Sequence, residues 1–238
     1  MEPLLATLWI YRRCAARSAV LLRQNWPVGL SLPAYALLLA VARSIAPAFG
    51  IIGGLIVALA SSACISSFLF LIEQILHSGR ATLGDFQRGF AVYLWEVIRI
   101  SFLFWIAATL LRVMLAGQPN AGLIQLCVTV AAYILFNVVP ELIYQSHESG
   151  VGLVAASYRF IATNWIEWFP PNVLGAVAIV WILRATGQLH LAAPLAMVVE
   201  GLVMGLLLVC LMVFRGLLFA ELNSSTGRGR AFRYRARR

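Results

Sequence analysis

Three tryptophans, Trp26, Trp95 and Trp165, stand 69 and 70 residues apart, and each opens the same series of arginine, loop proline and glutamate. The sets are Trp26–Arg43–Pro47–Glu73, Trp95–Arg112–Pro119–Glu141 and Trp165–Arg184–Pro194–Glu221, with Trp-to-Arg spacings of 17, 17 and 19 residues. Between these markers the chain is almost wholly apolar. A period of about 70 residues that holds two apolar stretches predicts one membrane hairpin present three times, each copy in the same orientation.

Composition agrees with that placement. Hydrophobic residues make up 62% of the 238 and charged residues 11%, where a soluble domain carries about 25% charge. Apolar stretches of 17 or more residues recur, each about long enough to cross a ~30 Å hydrocarbon core. The expected spans are 26–42, 50–72, 92–115, 121–144, 172–188 and 196–220. They define an all-α, polytopic membrane domain over residues 1–222, with repeat units 4–77, 78–145 and 146–222, followed by a basic tail at 223–238. Cys14, Cys64, Cys127 and Cys210 are scattered with no CxxC pair, which argues against a disulfide framework or a metal site.

All 18 cations are arginines, a bias typical of GC-rich bacterial coding, and their placement sets the topology. Arg12, Arg13, Arg17, Arg23, Arg80, Arg88, Arg159 and the six tail arginines fall on one side, with Arg99 and Arg215 nearer to it than to the other. Only Arg43, Arg112 and Arg184 lie toward the opposite face. The positive-inside rule then places both termini in the cytoplasm of a bacterial inner membrane.

Each hairpin is introduced by a segment too polar to span: residues 4–24, 82–90 and 150–165. Thr82-Leu83-Gly84-Asp85 reads as a capping box, with Leu83, Phe86 and Phe90 on one face. In the third segment Val154, Tyr158, Ile161 and Trp165 share a helical face at i, i+4, i+7 and i+11. Helices of this kind lie in the headgroup layer. The inward spans end alike, in Glu73…Ser78-Gly79 and Glu221…Thr226-Gly227, where glycine after the last turn is a left-handed cap.

Candidate functional residues follow from the repeat. Trp26, Trp95 and Trp165 suit interface anchoring, because an indole buries its ring and keeps its N–H wet. Arg43, Arg112 and Arg184 reach the outer headgroups by themselves, or form a basic outer vestibule. Glu73, Glu141 and Glu221 form the matching inner set. A carboxylate at a helix C-terminus opposes the dipole, so the expected compensation is a latch to arginines such as Arg80, Arg88 and Arg159. Glu200 stands inside the sixth span without a counterpart in the other copies, which marks it as a pathway candidate with Arg184 as partner. Glu96 and Arg99, three residues apart, are expected to satisfy each other. His77 and His147 follow two of the inward spans and His190 lies in an outer loop, a pattern that does not build a symmetric metal triad. The tail arginines Arg228, Arg230, Arg233, Arg235, Arg237 and Arg238 suit anionic lipid better than nucleic acid.

Pro140-Glu141-Leu142, Ser157-Tyr158-Arg159-Phe160 and Asn164-Trp165, followed by a span, resemble a pattern found in two groups of bacterial six-span proteins. These are the YciC-like inner-membrane proteins and the membrane domain found beside some glycerophosphodiester phosphodiesterases. The resemblance implies a six-span inner-membrane fold. It does not imply phosphodiesterase activity, because the residues matched are not those of that catalytic domain.

Signatures of soluble enzyme chemistry are missing: there is no phosphate-binding loop ending in lysine, no HExxH, no GxSxG and no DDxxD. No cofactor is implied. The sequence therefore favours a non-enzymatic accessory or scaffold component that handles lipids or a partner complex. The alternatives are a small transporter or channel using Glu200 and the outer arginines, and a lipid-modifying membrane enzyme.

Overall fold

The computed structural model describes residues 2–146, 148–187 and 193–224. Among them the regular elements are all helical: α1 (Glu2–Gln24), α2 (Ser31–Ile45), α3 (Ile51–Ser78), α4 (Leu83–Val92), α5 (Leu94–Met114), α6 (Ala121–Leu135), α7 (Val139–Gln145), α8 (Val151–Gly187) and α9 (Ala193–Asn223). Six stretches are long and apolar enough to cross a bilayer: Trp26–Phe49, Ile52–Ser78, Leu94–Met114, Ala121–Gln145, Val151–Ala185 and Val198–Asn223. Each overlaps one expected span, and together they make this an integral membrane protein. The tail arginines, His147, His190 and residues 188–192 of the expected outer loop lie outside the described residues.

Local signals account for the breaks. Short 3-10 turns at Trp26–Leu30 and Ala46–Phe49 flank α2, each with a proline in its first turn, where a missing N–H costs nothing. Thr82 caps α4 as expected: its N–H donates to Asp85 Oδ2 at 2.8 Å, and Asp85 N–H donates to Thr82 Oγ1 at 3.2 Å. Gly79, at φ +76°, ends α3 in the left-handed region that favours glycine.

The last third of the chain departs from expectation. The segment 150–165 and the span 172–188, expected to be separate, lie almost wholly in one continuous 37-residue helix, α8, with Pro170 and Pro171 inside it. A proline within a helix frees the carbonyl four residues earlier and normally breaks or kinks the chain. Here the Tyr11 hydroxyl of α1 donates to the freed Glu167 carbonyl at 2.6 Å. The buried stripe of α8 runs through Leu153, Ser157, Phe160, Ile161, Asn164, Trp168 and Asn172, whereas Tyr158 and Trp165 are exposed.

Packing is concentrated at the arginine-rich end. The C-terminal parts of α3 (Cys64–Ile75) and α9 (Val209–Leu222) and all of α7 supply most of the buried apolar residues, joined by Ile10, Cys14 and Leu21 of α1. The helices α3, α7 and α9 touch one another pairwise, and α4 packs on α3, α8 on α7 and α1 on α9. The chain from α1 into α2 runs antiparallel along α9: Arg13 and Arg17 of α1 lie beside Leu217 and Glu221, Gly29 of the connecting turn lies beside Gly205, and Pro33 of α2 lies beside Gly201. The backbones meet at Gly205, where a Cβ would stand 2.1 Å from the Gly29 carbonyl oxygen. By contrast α5 and α6 bury few side chains beyond their inner ends.

Two hydrogen-bonded clasps hold this end together. Asn25, 2% exposed, sits at the α1–α2 break. Its Nδ2 donates to the carbonyls of Leu21 and Gly79, both at 2.9 Å, and its Oδ1 accepts from Ala81 N–H at 2.9 Å. Ser66 Oγ donates to the Gly89 carbonyl at 2.6 Å, and Ser67 Oγ donates to the Phe86 carbonyl at 2.9 Å. These bonds tie α4 to the middle of α3, and Gly89 allows the contact, since a Cβ there would fall 2.8 Å from Ser67 Cα.

Candidate functional site

The fourth span is discontinuous. Helix α6 stops at Leu135 and α7 starts at Val139, with Pro140 in its first turn. Non-helical backbone at membrane depth needs partners for the groups it frees. Ser157 Oγ of α8 donates to the Leu135 carbonyl at 2.6 Å, and Arg215 Nη2 of α9 donates to the Asn137 carbonyl at 2.5 Å.

Arg215 also forms a two-point ion pair with Glu141 on α7. Its Nε donates to Oε1 at 2.6 Å and its Nη2 to Oε2 at 2.9 Å. Glu141 is 0% exposed and Arg215 8%. A bidentate guanidinium–carboxylate pair is the arrangement that best offsets the desolvation of two buried charges. The guanidinium carbon lies 5.2 Å from the ring centroid of Trp168, also fully buried, and Trp168 Nε1 donates to Asn137 Oδ1 at 3.0 Å. Phe160 packs between Trp168 and Phe219, closing the site on the α8–α9 side. Next to Arg215, Gly216 presents its carbonyl to Gln145 Nε2 at 3.1 Å. A Cβ on Gly216 would fall 2.5 Å from Leu76 Cδ1 and 2.8 Å from the Tyr144 hydroxyl, side-chain ends that would have to shift at the crossing of α3, α7 and α9.

Glu73, Glu141 and Glu221 therefore have different surroundings. Glu141 takes Arg215. Glu73 Oε2 accepts from the Tyr93 hydroxyl at 2.6 Å. Glu221 lines a cavity with Arg13 and Arg17 of α1. The expected latches from Arg80, Arg88 and Arg159 do not form on Glu73 or Glu141. Arg159 instead lies 3.9 Å from Glu148, and both are exposed. The physical reason is reach: the α4–α5 joint presents Tyr93 to Glu73, and the break before Pro140 turns Glu141 into the bundle, toward α9. Glu96 and Arg99 pair as expected, at 2.7 Å.

Arg43, Arg112 and Arg184 occupy the last turns of α2, α5 and α8. All three are exposed, and among the described residues none forms an ion pair. A cation in the last turn is favoured by the helix dipole, by about 0.3–1 kcal/mol. Glu200, in the second turn of α9, is half-buried and does not pair with Arg184. Trp26, Trp95 and Trp165 are 58%, 67% and 57% exposed, a uniformity that suits anchors and leaves no buried ring for ligand stacking.

Sequence reasoning missed Arg215, Asn137 and Trp168 as partners of Glu141. The available signal was Arg215 itself, an ionisable residue inside Val213-Phe214-Arg215-Gly216-Leu217. Such a residue within a span marks either a site or a buried partner. Comparison with known proteins places no limit on the site: no family model, no curated protein and no solved structure matches the chain.

Proposed function

We propose that this chain is a non-enzymatic component of a bacterial inner membrane, an accessory or scaffold subunit that handles lipids or a partner complex. Its polar centre serves the fold. The observation that carries this reading is the closure of the Glu141–Arg215 pair: both carboxylate oxygens and two guanidinium nitrogens are engaged within the protein. A group on a transport path must exchange partners with cargo, and a catalytic group must reach substrate. Glu141 does neither.

The architecture proposed with it is three modules of the same orientation, closed in a ring, with both termini cytoplasmic. Support comes from the order of packing. The helix that introduces each module packs on the inward span of the module before it: α4 on α3, α8 on α7, and α1 on α9 to complete the circle. The outward spans follow suit, with α5 on α3, α8 on α6 and α2 on α9. A resemblance to the YciC-like proteins fits this reading.

The test is reconstitution beside crosslinking. Proteoliposomes of the wild type are expected to hold ion and small-solute gradients as well as empty liposomes, while crosslinking in native membranes captures a second membrane protein. Flux above the empty-vesicle rate that is lost in Glu200→Gln or Arg184→Ala would replace this reading with the transporter.

A further inference from the structure

Between α1 and α9 at the arginine-rich end lies an open cavity of about 340 Å³, lined by Ile10, Arg13, Cys14, Arg17, Leu217 and Glu221, with Ala220 and Ser224 completing its wall. That volume is at the small end for ligand pockets, enough for a polar headgroup but not for a whole lipid. Arg13 and Arg17 are one helical turn apart and so project to the same side of α1. Arg13 is held by stacking over Trp9 at 5.5 Å. Both arginines are exposed, whereas Cys14 between them is buried at 7% exposure.

The charges in this cavity are of mixed sign. A purely anionic group would meet Glu221 as well as the arginines, and a simple cation would meet the arginines. A ligand carrying both signs a few ångströms apart complements all three. We propose that the cavity binds a phosphoethanolamine headgroup, its phosphate taken by Arg13 and Arg17 and its ammonium by Glu221. A guanidinium pair suits phosphate oxygens. A carboxylate has about four acceptor sites, so Glu221 can take a primary ammonium while keeping other partners. A choline headgroup carries no N–H to donate to that carboxylate, which selects ethanolamine over choline. Ile10 and Leu217 give the cavity an apolar wall beside its charges, as expected where a headgroup meets the acyl boundary. The Cys14 thiol reports the same field, since both Glu221 and the two arginines act on its ionisation. The proposal deepens the lipid-handling reading of the function by naming the lipid class, but it is tested by binding alone, independently of flux or partner capture.

The experiment is lipid titration of the full-length protein in mild detergent, read by native mass spectrometry. The probes are phosphatidylethanolamine, phosphatidylcholine and phosphatidylglycerol of matched chains. Wild-type protein is expected to retain phosphatidylethanolamine about tenfold more tightly than either of the others. The double variant R13Q/R17Q should lose that retention. Glu221→Gln should erase the preference over phosphatidylglycerol while leaving phosphate binding in place. An unchanged melting temperature certifies folding, and Glu221→Gln, which keeps the size of the side chain, carries the test where the double variant does not fold. Competition by soluble glycerophosphoethanolamine at millimolar concentration would assign the headgroup to the aqueous phase, and failure to compete would assign it to the bilayer. Equal retention of the three lipids by the wild type, or an unchanged lipid preference in Glu221→Gln, overturns the proposal.

Discussion

Arg215 and Glu141, 74 residues apart in the chain, meet through two charge-assisted hydrogen bonds of 2.6 and 2.9 Å inside the bundle. The same guanidinium satisfies the Asn137 carbonyl that the break in the fourth span leaves free. One side chain thus neutralises a buried carboxylate and repairs a discontinuous helix. Removing either partner leaves an uncompensated buried charge.

Arg215→Gln and Glu141→Gln are each expected to destabilise the protein by about 3–5 kcal/mol, the usual cost of breaking a buried pair. The double variant Glu141→Gln/Arg215→Met should recover much of that loss, short of the Asn137 bond. Thermal unfolding in detergent, analysed as a double-mutant cycle, measures the coupling. Additive losses would show that the two charges do not interact.

Glycine has unequal importance along these helices. At Gly205 a Cβ would stand 2.1 Å from the Gly29 carbonyl oxygen, while at Gly54 nothing lies within 4 Å. Gly205→Ala should therefore cost about 1–3 kcal/mol, through separation of α9 from the turn before α2. Gly54→Ala is expected to be neutral, or stabilising by up to about 1 kcal/mol. Melting temperatures of the two variants in one detergent decide this, and equal shifts would refute the packing argument.

Cys14 should be an unreactive thiol at neutral pH. Burial first, and Glu221 second, push its pKa up to about 11, against the lowering effect of Arg13 and Arg17. The thiolate is the nucleophile, so alkylation of a variant retaining only Cys14 should rise about tenfold per pH unit from 8 toward 10 without levelling. A solvent-exposed thiol levels off above about 8.5. The sign for stability follows: the folded state favours the protonated thiol, so this contribution is complete below pH 9 and fades as pH rises through about 11.

Trp26, Trp95 and Trp165 are expected to lie at one depth. Variants retaining one tryptophan each, reconstituted with lipids brominated at different positions along the chain, should show matching shallow quenching for these three. Trp105, exposed near the middle of α5, should be quenched from deeper positions. Three different depths for the repeated tryptophans would remove them as anchors.

Much of the architecture could be read from residue order because length and hydropathy alone select membrane-crossing helices. The caps at Thr82 and Gly79 were legible for the same reason: their chemistry is local. The chain's tertiary pairings were not. Tyr158 and Trp165 lie on the face that helical spacing assigned to the headgroup layer, and both are exposed. The face of α8 that packs inside the protein, with Ser157, Asn164 and Asn172, was not read from spacing. In a membrane protein polar side chains turn inward to satisfy freed carbonyls, and aromatic ones turn out to lipid. The ring of like glutamates was misread. Spacing made Glu73, Glu141 and Glu221 equivalent, but their partners Tyr93 and Arg215 and the Arg13–Arg17 cavity come from distant segments. No single-sequence pattern encodes those meetings. Spacing separates residues 150–165 from the span 172–188; the structure joins them in one helix through Pro170-Pro171, where Tyr11, more than 150 residues earlier, bonds the freed Glu167 carbonyl.

The account stands on three modules facing the bilayer the same way, and substituted-cysteine accessibility tests that most directly. In a cysteine-free background, Ala48→Cys and Gln118→Cys sit at the tips of the first two hairpins, and Leu83→Cys and Val151→Cys open the lead helices of the second and third modules. A membrane-impermeant maleimide added to intact cells with a permeabilised outer membrane should label positions 48 and 118, and should reach 83 and 151 only after the inner membrane is opened. Labelling of position 118 only from the cytoplasmic side would contradict the account.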